Sequence, residues 1–278
     1  MKNTPDCGRP MEIKILEEKA KQVRRKVLEM IYRHKTSHVG SAFSMVEMLV
    51  ALYSGVLKVD PGNPRKKGRD IFILSKGHGC SALYATLALA GFFPEKNLDD
   101  YSADKDLLPG HPTLSVPGVE AVTGSLGHGL PVGIGMAMGQ RLDGGASRVY
   151  VLMGDGECSE GSVWEGALFA ARMKLDNLVG IVDSNKLHGY DRSCDILPED
   201  RLTAMWRAAG WAVREIDGHS FPEVTAALGE IPYEKGKPGL IFMHTVKGKG
   251  VSFMENRLEW HYKSPNDAEY KKALEELA

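Results

Sequence analysis

Two apolar runs that each end in polar residues constrain the fold of this 278-residue chain more than any other feature. The first run, residues 149–153, is followed by Gly154-Asp-Gly-Glu157, and the second, residues 178–182, is followed by Asp183-Ser-Asn185. The segment between them has apolar residues at a helical spacing: Val163, Leu168, Phe169 and Met173. This order predicts a strand, a loop, a helix over 159–175 and a second strand, which together form one βαβ unit.

The polar residues at these two strand ends predict a site for a metal and a phosphate. Ligands of parallel sheets bind outside the carboxyl ends of the strands, where Asp155 and Asn185 stand. A carboxylate and an asparagine carbonyl are hard oxygen ligands of the kind that suits Mg²⁺, and Mg²⁺ in turn suits phosphates. The amino terminus of the helix after Gly156 adds free amide groups that can bind an anion.

Strand and helix patterns alternate along the rest of the chain. Apolar and amphipathic segments predict helices over 12–34, 46–56, 81–90, 202–209 and 222–228, and further strands over 70–74, 211–216 and 240–244. The buried stripe of the first helix is predicted to contain Ile15, Val23, Val27, Met30 and Ile31. Such alternation is typical of an α/β protein with a doubly wound, mainly parallel sheet and helices on both faces. We expect a single domain over residues 1–278, with a flexible amino terminus at residues 1–10.

Composition excludes two classes of partner. Lysine plus arginine (35) nearly balances aspartate plus glutamate (36), so the chain lacks the basic field that favours nucleic acid or an anionic membrane. The most apolar stretch, residues 130–139, is ended by Gln140 and Arg141, far short of a bilayer span. No nucleic acid and no membrane are therefore expected as partners.

The cysteines and the amino terminus indicate a cytoplasmic protein. Cys7, Cys80, Cys158 and Cys194 show neither the paired spacing of a zinc site nor that of a redox motif, which favours reduced thiols. Residues 1–12 contain acidic residues and no apolar signal-peptide core. We predict that Cys158 is a small packing residue, rather than a redox switch.

Four histidines lie in the predicted loops: His38, His78, His111 and His261. A lone histidine in a loop is usually a hydrogen-bonded structural residue. Taken as a series beside glycines, these four indicate donors arranged around a polar small molecule. A zinc site is the rival interpretation, and it is disfavoured because no histidine pair has the spacing of the metalloprotease helix and no cysteine pair supports a structural site.

These motifs together resemble the transketolase family. Residues 154–166 and 177–185 resemble its thiamine diphosphate motif. The other matching motifs are, in chain order, Ser37-His-Val-Gly-Ser41, Leu74-Ser-Lys-Gly-His78, Pro109-Gly-His-Pro112, Thr123-Gly-Ser-Leu-Gly127 and Trp260-His261. The resemblance spans nearly the whole chain but covers only the amino-terminal, diphosphate-binding domain of that family. The chain therefore resembles the amino-terminal subunit of a split transketolase.

The resemblance implies a role for each matching residue. The Asp155 and Asn185 side chains and the Leu187 carbonyl would hold Mg²⁺, or Ca²⁺ in its place. Thiamine diphosphate would be bound by Ser41, His78, Gly124, Ser125, Leu126, Asp155, Gly156, Glu157, Asn185, Leu187, Lys247 and His261. The catalytic hydrogen bonds would come from His38, His78, His111 and His261. Glu160 resembles a glutamate in a carboxylate network that joins the two active sites of the family's dimer.

The resemblance also implies a reaction and a partner. The enzyme would transfer a two-carbon glycolaldehyde unit from a ketose to an aldose, acting on sugars or sugar phosphates. It would need a carboxyl-terminal subunit that carries the pyrimidine-binding domain, in an α₂β₂ assembly. Three alternatives remain: an amino-terminal section of deoxyxylulose phosphate synthase, the α chain of a 2-oxo acid dehydrogenase, and an inactive cofactor-binding module. Tyr262 and His128 stand where many relatives have glycine and glutamine, so the substrate pocket departs from the family pattern there.

Overall fold

The sheet of this protein contains five parallel strands. The structure is a computed structural model and describes residues 12–103 and 107–278, apart from the Cys194 side chain, so the predicted flexible residues 1–10 lie outside it. The strands are β1 (Ile71–Leu74), β2 (Val149–Gly154), β3 (Leu178–Ser184), β4 (Ala212–Asp217) and β5 (Gly239–His244). Their order across the sheet is β1-β2-β3-β5-β4, and every neighbouring pair is parallel.

Alternate residues of the central strands face two separate apolar layers. Tyr150 and Leu152 of β2 pack in one layer, whereas Val149, Val151 and Met153 pack in the other. Every residue of β3 is buried, as expected for a strand covered on both faces. The predicted doubly wound α/β architecture is therefore confirmed.

Ten α-helices lie among the described residues. The first layer contains α1 (Ile13–His34), α2 (Val39–Phe43), α3 (Val46–Ala51), α4 (Cys80–Leu89) and α9 (Phe221–Gly229). The second contains α5 (Gly129–Leu142), α6 (Gly161–Arg172) and α8 (Glu199–Ala208). The remaining helices are α7 (Ser193–Ile196) and α10 (Asp267–Glu276). None of the helices among the described residues is both long and apolar enough to cross a membrane.

Several helix boundaries differ from the prediction for local reasons. The helix predicted over 46–56 is α-helical only as α3 and then continues as a π-helical turn, Leu52–Val56, where Gly55 has a φ of 144°. Because only glycine adopts that backbone angle readily, the helix ends there. The predicted loop that carries His38 contains the short helix α2. Helix α10 was not predicted, although Asn266 and Glu269 form a capping box at its start.

The apolar pattern predicted the helix α6, but only part of that pattern faces the core. Leu168, Phe169 and Met173 are exposed, with 61%, 46% and 38% of their surface accessible. The helix instead packs through small residues, since a Cβ atom on Gly166 would stand 3.0 Å from Ile134 of α5. This close approach turns the larger side chains of α6 outward. In α1, four residues of the predicted stripe are buried, but Ile15 is exposed and Leu16 takes its place in the core.

Candidate functional site

Seven of the fourteen residues predicted for cofactor, metal or catalysis follow the carboxyl ends of β1, β2, β3 and β5, namely His78, Asp155, Gly156, Glu157, Asn185, Leu187 and Lys247. The parallel arrangement aligns these ends, because Leu74 pairs with Leu152, Gly154 with Asp183, and Ser184 with His244. The segments that follow the four strands therefore meet along one edge of the sheet. Helix α2 begins directly after His38 and contains Ser41, so it brings two further predicted residues to the site.

Asp155 follows β2 directly, and its buried carboxylate joins the loops of the site. Gly156 donates its backbone N–H to one oxygen at 2.9 Å. The other oxygen accepts the Lys186 backbone N–H at 2.9 Å and the Ser193 hydroxyl at 2.5 Å. Burial raises the pKa of Asp155; the Ser193 hydrogen bond opposes this effect, and the neighbouring Asp183 adds to it. A bound cation would offset this cost of burying the charge.

The loop after β3 turns back toward Asp155. Lys186 adopts a left-handed φ of 68°, and its N–H reaches Asp155. Leu187 donates its N–H to the Asn185 side-chain oxygen at 3.3 Å, and its carbonyl accepts a hydrogen bond from Lys247 at 3.2 Å. The three predicted metal ligands, Asp155, Asn185 and Leu187, are thus on adjoining segments held together by hydrogen bonds.

Asn185 belongs to a set of buried polar side chains beneath this loop, and the other members of the set were given no role from the sequence. We call Ser44, Lys76, Asp183, Asn185 and Thr245 the buried network. Asp183 is completely buried and accepts hydrogen bonds from Lys76 (2.5 Å), Ser44 (2.6 Å) and Thr245 (2.5 Å). Burial alone would raise the pKa of Asp183, but the Lys76 charge and these hydrogen bonds hold it below its ordinary value.

Lys247 is the second buried lysine of the site. Its ammonium donates to the Leu187 carbonyl (3.2 Å), the His188 carbonyl (2.9 Å) and the Nδ1 atom of His261 (2.7 Å), all of which are neutral groups. Burial, followed by the nearby charge of Lys76, lowers the pKa of Lys247 to about 7. A buried ammonium with neutral partners suits an anionic ligand such as a diphosphate.

Three of the predicted catalytic histidines form one cluster. We call His38, His78 and His261 the histidine cluster, since their ring centroids lie 5.1 to 5.3 Å apart. Burial is the main cause that lowers the pKa of His38 to about 4, that of His261 to about 3 and that of His78 well below its ordinary value. These imidazoles are therefore neutral at physiological pH.

Glycines allow the loops of the site to approach one another closely. A Cβ atom on Gly77 would lie 2.9 Å from the backbone nitrogen of Gly124, and one on Gly124 would lie 2.8 Å from the His111 ring. Gly124 also has a φ of 143°. His111, the fourth predicted catalytic histidine, is therefore placed against the glycine-rich loop and connected through it to the segment that carries His78.

His188 is another site residue that the sequence did not single out. Its ring lies so close to Gly156 that a Cβ atom there would stand 2.4 Å from the His188 Nδ1 atom. Ser193, which holds Asp155, was also missed. His188 lies in the loop that follows the predicted ligand Asn185, and Ser193 begins the helix after that loop. Their proximity to Asn185 in sequence is the signal that could have identified them.

The Glu157 carboxylate points into the protein. It accepts hydrogen bonds from the Ser75 hydroxyl and from the backbone N–H groups of Gly127 (2.9 Å) and Gly154 (3.2 Å). The side chain therefore braces three loops. The neighbouring Cys158 is fully buried, and burial raises the pKa of its thiol well above the ordinary value, as befits a packing residue.

The remaining predicted residues differ in their exposure to solvent. Ser125, Leu126 and Glu160 are exposed, whereas Ser41 is buried and its carbonyl accepts a hydrogen bond from Lys76 at 3.0 Å. Tyr262 is exposed beside the histidine cluster, with its ring centroid 4.7 Å from that of His261. The exposed residues would contact a ligand or another chain at the open side of the site.

The donor set fits a hard divalent cation. No three histidine, cysteine, aspartate or glutamate side chains converge on a metal site in the described part of the chain. That result agrees with the predicted set, which contains one carboxylate, one amide oxygen and one backbone carbonyl. Oxygen ligands of this kind suit Mg²⁺ or Ca²⁺, whereas zinc sites usually contain nitrogen or sulfur.

Comparison with known proteins identifies the family. The family model described as "Transketolase, thiamine diphosphate binding domain" matches residues 15–277. The chain belongs to the transketolase family. This match covers nearly all of the chain and confirms the resemblance predicted from the motifs. It also favours transketolase over the two related enzyme families that the sequence left open.

The transketolase relatives include proteins of similar length that are named as subunits. The chain is 46% identical over 264 residues to one such subunit of the apulose-4-phosphate transketolase of Actinobacillus succinogenes, covering 94% of this chain and 95% of that protein. It is 40% identical over 263 residues to 6-deoxy-6-sulfo-D-fructose transketolase subunit SqwG of Clostridium sp. (strain MSTE9), covering 94% and 96%. By contrast, it covers only 40% of Homo sapiens transketolase, at 36% identity. The chain is therefore a transketolase-type subunit with the thiamine diphosphate-binding domain, as predicted.

Solved transketolase structures share the fold. The transketolase from Campylobacter jejuni superposes with a TM-score of 0.90 at 31% identity, covering 96% of this chain and 43% of that one. The transketolase from Leishmania mexicana gives a TM-score of 0.88 at 28% identity, covering 94% and 41%. The doubly wound sheet and its helical layers are thus the transketolase arrangement.

Proposed function

We propose that this chain binds thiamine diphosphate and Mg²⁺ and, together with a second subunit, transfers a two-carbon glycolaldehyde unit from a ketose to an aldose. The observation that carries the proposal is the meeting of Asp155, the Asn185 loop and Lys247 at one edge of the sheet, in a chain of the transketolase family. Calcium could replace magnesium, because both prefer oxygen ligands.

The buried charges of the site support this assignment of the cofactor. Asp155, the Asn185 oxygen and the Leu187 carbonyl would hold the metal, and Lys247 would face the diphosphate with only neutral partners to compete. When bound, thiamine diphosphate supplies the nucleophilic carbon for cleaving and forming the bond beside a ketose carbonyl. Gly124, Ser125 and Leu126 would lie along the cofactor.

The histidine cluster would bind the sugar hydroxyls and transfer their protons. Neutral imidazoles can both donate and accept hydrogen bonds, so His38, His78 and His261 can hold sugar hydroxyls and move their protons without first losing a charge. His111 would add a donor from the glycine-rich loop. We place the ketose and the aldose against the partly buried rings of this cluster, which lies beside the exposed Tyr262.

The names of the relatives suggest a substrate class. Apulose 4-phosphate and 6-deoxy-6-sulfo-D-fructose, the substrates named for two relatives, both carry an anionic group. We propose that the donor ketose of this enzyme likewise carries a phosphate or a sulfonate. A cytoplasmic location agrees with the buried, unpaired thiols of Cys80 and Cys158.

A partner subunit is proposed for two reasons. Relatives of the same length are named as single subunits of their transketolases, which implies at least one further subunit in those enzymes. The exposed apolar residues Leu168 and Phe169 of α6 and Val132 of α5 also suit burial against another chain. We expect the pyrimidine-binding domain on the partner and an α₂β₂ assembly.

The test is reconstitution of the pair. The chain would be purified alone and with a candidate carboxyl-terminal subunit. Each preparation would be assayed with thiamine diphosphate, Mg²⁺, a phosphorylated or sulfonated ketose and an aldose. We expect turnover only from the pair, with a mass measured in solution that corresponds to two copies of each subunit. Turnover by the chain alone would contradict the need for a partner. Failure of the purified pair to bind thiamine diphosphate would instead indicate an inactive module.

A further inference from the structure

Asn185 has a side chain whose two ends are chemically different. The nitrogen of a carboxamide can only donate hydrogen bonds, whereas the oxygen can only accept them or bind a cation. Neighbouring groups therefore decide which end faces a metal. An inverted amide would present N–H groups to the cation and repel it.

Two acceptors fix the nitrogen end of this amide. The Asn185 Nδ2 atom donates to the Asp183 carboxylate at 3.3 Å and to the Ser44 hydroxyl at 3.4 Å. The oxygen end then lies on the opposite side, where it accepts the Leu187 N–H at 3.3 Å. Lys186, which lies between Asn185 and Leu187, donates its N–H to Asp155, so the amide oxygen faces the loop that also contacts Asp155. The orientation seen is thus the one that a metal requires.

Lys76 completes a set of donors around the completely buried Asp183 carboxylate. The Lys76 ammonium lies 2.5 Å from the same carboxylate oxygen, Oδ2, that accepts the Asn185 amide. Ser44 donates to that oxygen as well, while Thr245 donates to the other one, Oδ1. Asp183 Oδ2 is the acceptor in its contacts with Lys76, Ser44 and Asn185, so the nitrogen end of Asn185 is the end that faces it.

We propose that Lys76, Asp183 and Ser44 are positioning residues that orient the Asn185 amide with its oxygen toward the metal. This inference rests on the proposed function, because it assigns a role toward the proposed metal. It goes beyond that function by giving the buried network a purpose other than stability. A buried ion pair is weak support for stability, since apolar residues of similar size often replace such pairs without loss.

The experiment uses that property of buried ion pairs. The variant Lys76→Met with Asp183→Leu replaces the pair with apolar side chains of similar volume and removes the acceptor that orients Asn185. The matched control, Arg24→Met with Glu47→Leu, replaces a buried pair in the helical layer whose atoms lie 2.8 Å apart. Binding of Mn²⁺ would be titrated by electron paramagnetic resonance at saturating thiamine diphosphate, on the complex with the partner subunit.

We expect Mn²⁺ affinity to fall about 10- to 100-fold in the first double variant, the range typical for residues that orient metal ligands, and to change less than about twofold in the control. The conservative variant Asp183→Asn should retain most of the affinity. Its oxygen can take the place of Oδ2, and its NH₂ group can donate to the Thr245 hydroxyl. Unchanged Mn²⁺ affinity in a folded Lys76→Met/Asp183→Leu variant would overturn the inference.

If the Lys76→Met/Asp183→Leu variant does not fold, a second pair of variants tests the proposed orientation of Asn185. Ser44→Ala removes a hydroxyl from the oxygen that faces Asn185, whereas Thr245→Val removes one from the opposite oxygen. We expect Ser44→Ala to weaken Mn²⁺ binding several-fold more than Thr245→Val does. Equal effects would overturn the inference. If the unmodified complex itself binds no Mn²⁺ with thiamine diphosphate, the proposed function fails instead.

Discussion

The buried network and the histidine cluster lie in the same site, but their side chains are fixed to different degrees. In the buried network, the Asp183 carboxylate alone accepts hydrogen bonds from Lys76, Ser44, Thr245 and Asn185. In the histidine cluster, the rings face one another at 5.1 to 5.3 Å and have fewer hydrogen bonds. His38 Nδ1 lies 3.1 Å from the Ser37 hydroxyl, and His261 Nδ1 accepts from Lys247 at 2.7 Å.

This difference indicates a division of labour within the site. A metal and a diphosphate need oxygen and nitrogen atoms at fixed positions, which saturated hydrogen bonding provides. Groups that exchange protons with a substrate need free donors and acceptors instead, and neutral imidazoles supply them. Mutations in the two regions should therefore fail in different ways: one by losing the cofactor, the other by losing turnover.

The largest effect is expected from Asp155→Ala. Removing the only carboxylate among the predicted metal ligands should weaken binding of thiamine diphosphate with Mg²⁺ by at least about 100-fold, more than the loss typical of outer-shell residues. Calorimetric titration of the subunit pair measures this. The exposed Asp143 at the end of α5 gives the control Asp143→Ala, which should bind normally. Cofactor affinity close to normal in Asp155→Ala would remove the proposed metal site.

A smaller effect of a different kind is expected from His38→Ala. The loss of one proton-transfer group should lower kcat/KM by about 100-fold, while the affinity for thiamine diphosphate stays within about twofold. The control is His34→Ala, because His34 ends α1 outside the cluster and contacts the Asp99 carbonyl. If His38→Ala instead lost affinity for thiamine diphosphate in proportion to its loss of kcat/KM, the two regions would not have separate roles.

The smallest expected effect is that of His38→Gln on how the thermal stability of the chain depends on pH. The pKa of His38 is about 4 in the folded chain and 6.5 ordinarily, so between these values the unfolded chain binds more protons. Stability contributed by the neutral ring is complete above about pH 6.5 and is lost as the pH falls toward 4. Thermal unfolding of the chain should thus occur at a lower temperature at pH 5 than at pH 7.5. His38→Gln should reduce this difference by a few degrees, and His34→Gln should not. An unchanged difference in His38→Gln would show that the ring is readily protonated in the folded chain.

The sequence predicted the strands and the edge at which the site lies because those features depend on local patterns. Apolar runs mark β2 and β3, and the parallel arrangement then requires that Asp155 and Asn185 lie at the same edge. The outward face of α6 could not be predicted in the same way. Its orientation depends on the close packing of Gly166 against Ile134, which is a contact between distant segments.

The buried network was missed for a related reason. Lys76 lies in a recognised motif, yet nothing near it in sequence indicates that its partner is Asp183, 107 residues away. One local signal was available, since Asp183 and Asn185 are two residues apart at the end of β3 and residues at that spacing face the same side of a strand. The site residues themselves, such as Lys247 and His261, remain predictions from the family resemblance that mutation must test.

The Asp183 carboxylate also sets the order in which the protein can assemble. Its partners Ser44, Lys76 and Thr245 are separated from it by 139, 107 and 62 residues along the chain. Closing such long segments of unfolded chain is entropically costly, so contacts of this range form late and slow the folding of domains that depend on them. During synthesis, the hydrogen bond from Thr245 cannot form until β5 has left the ribosome. Competence to bind a metal and cofactor would therefore appear only after Thr245 has been synthesised, as a property of the whole domain.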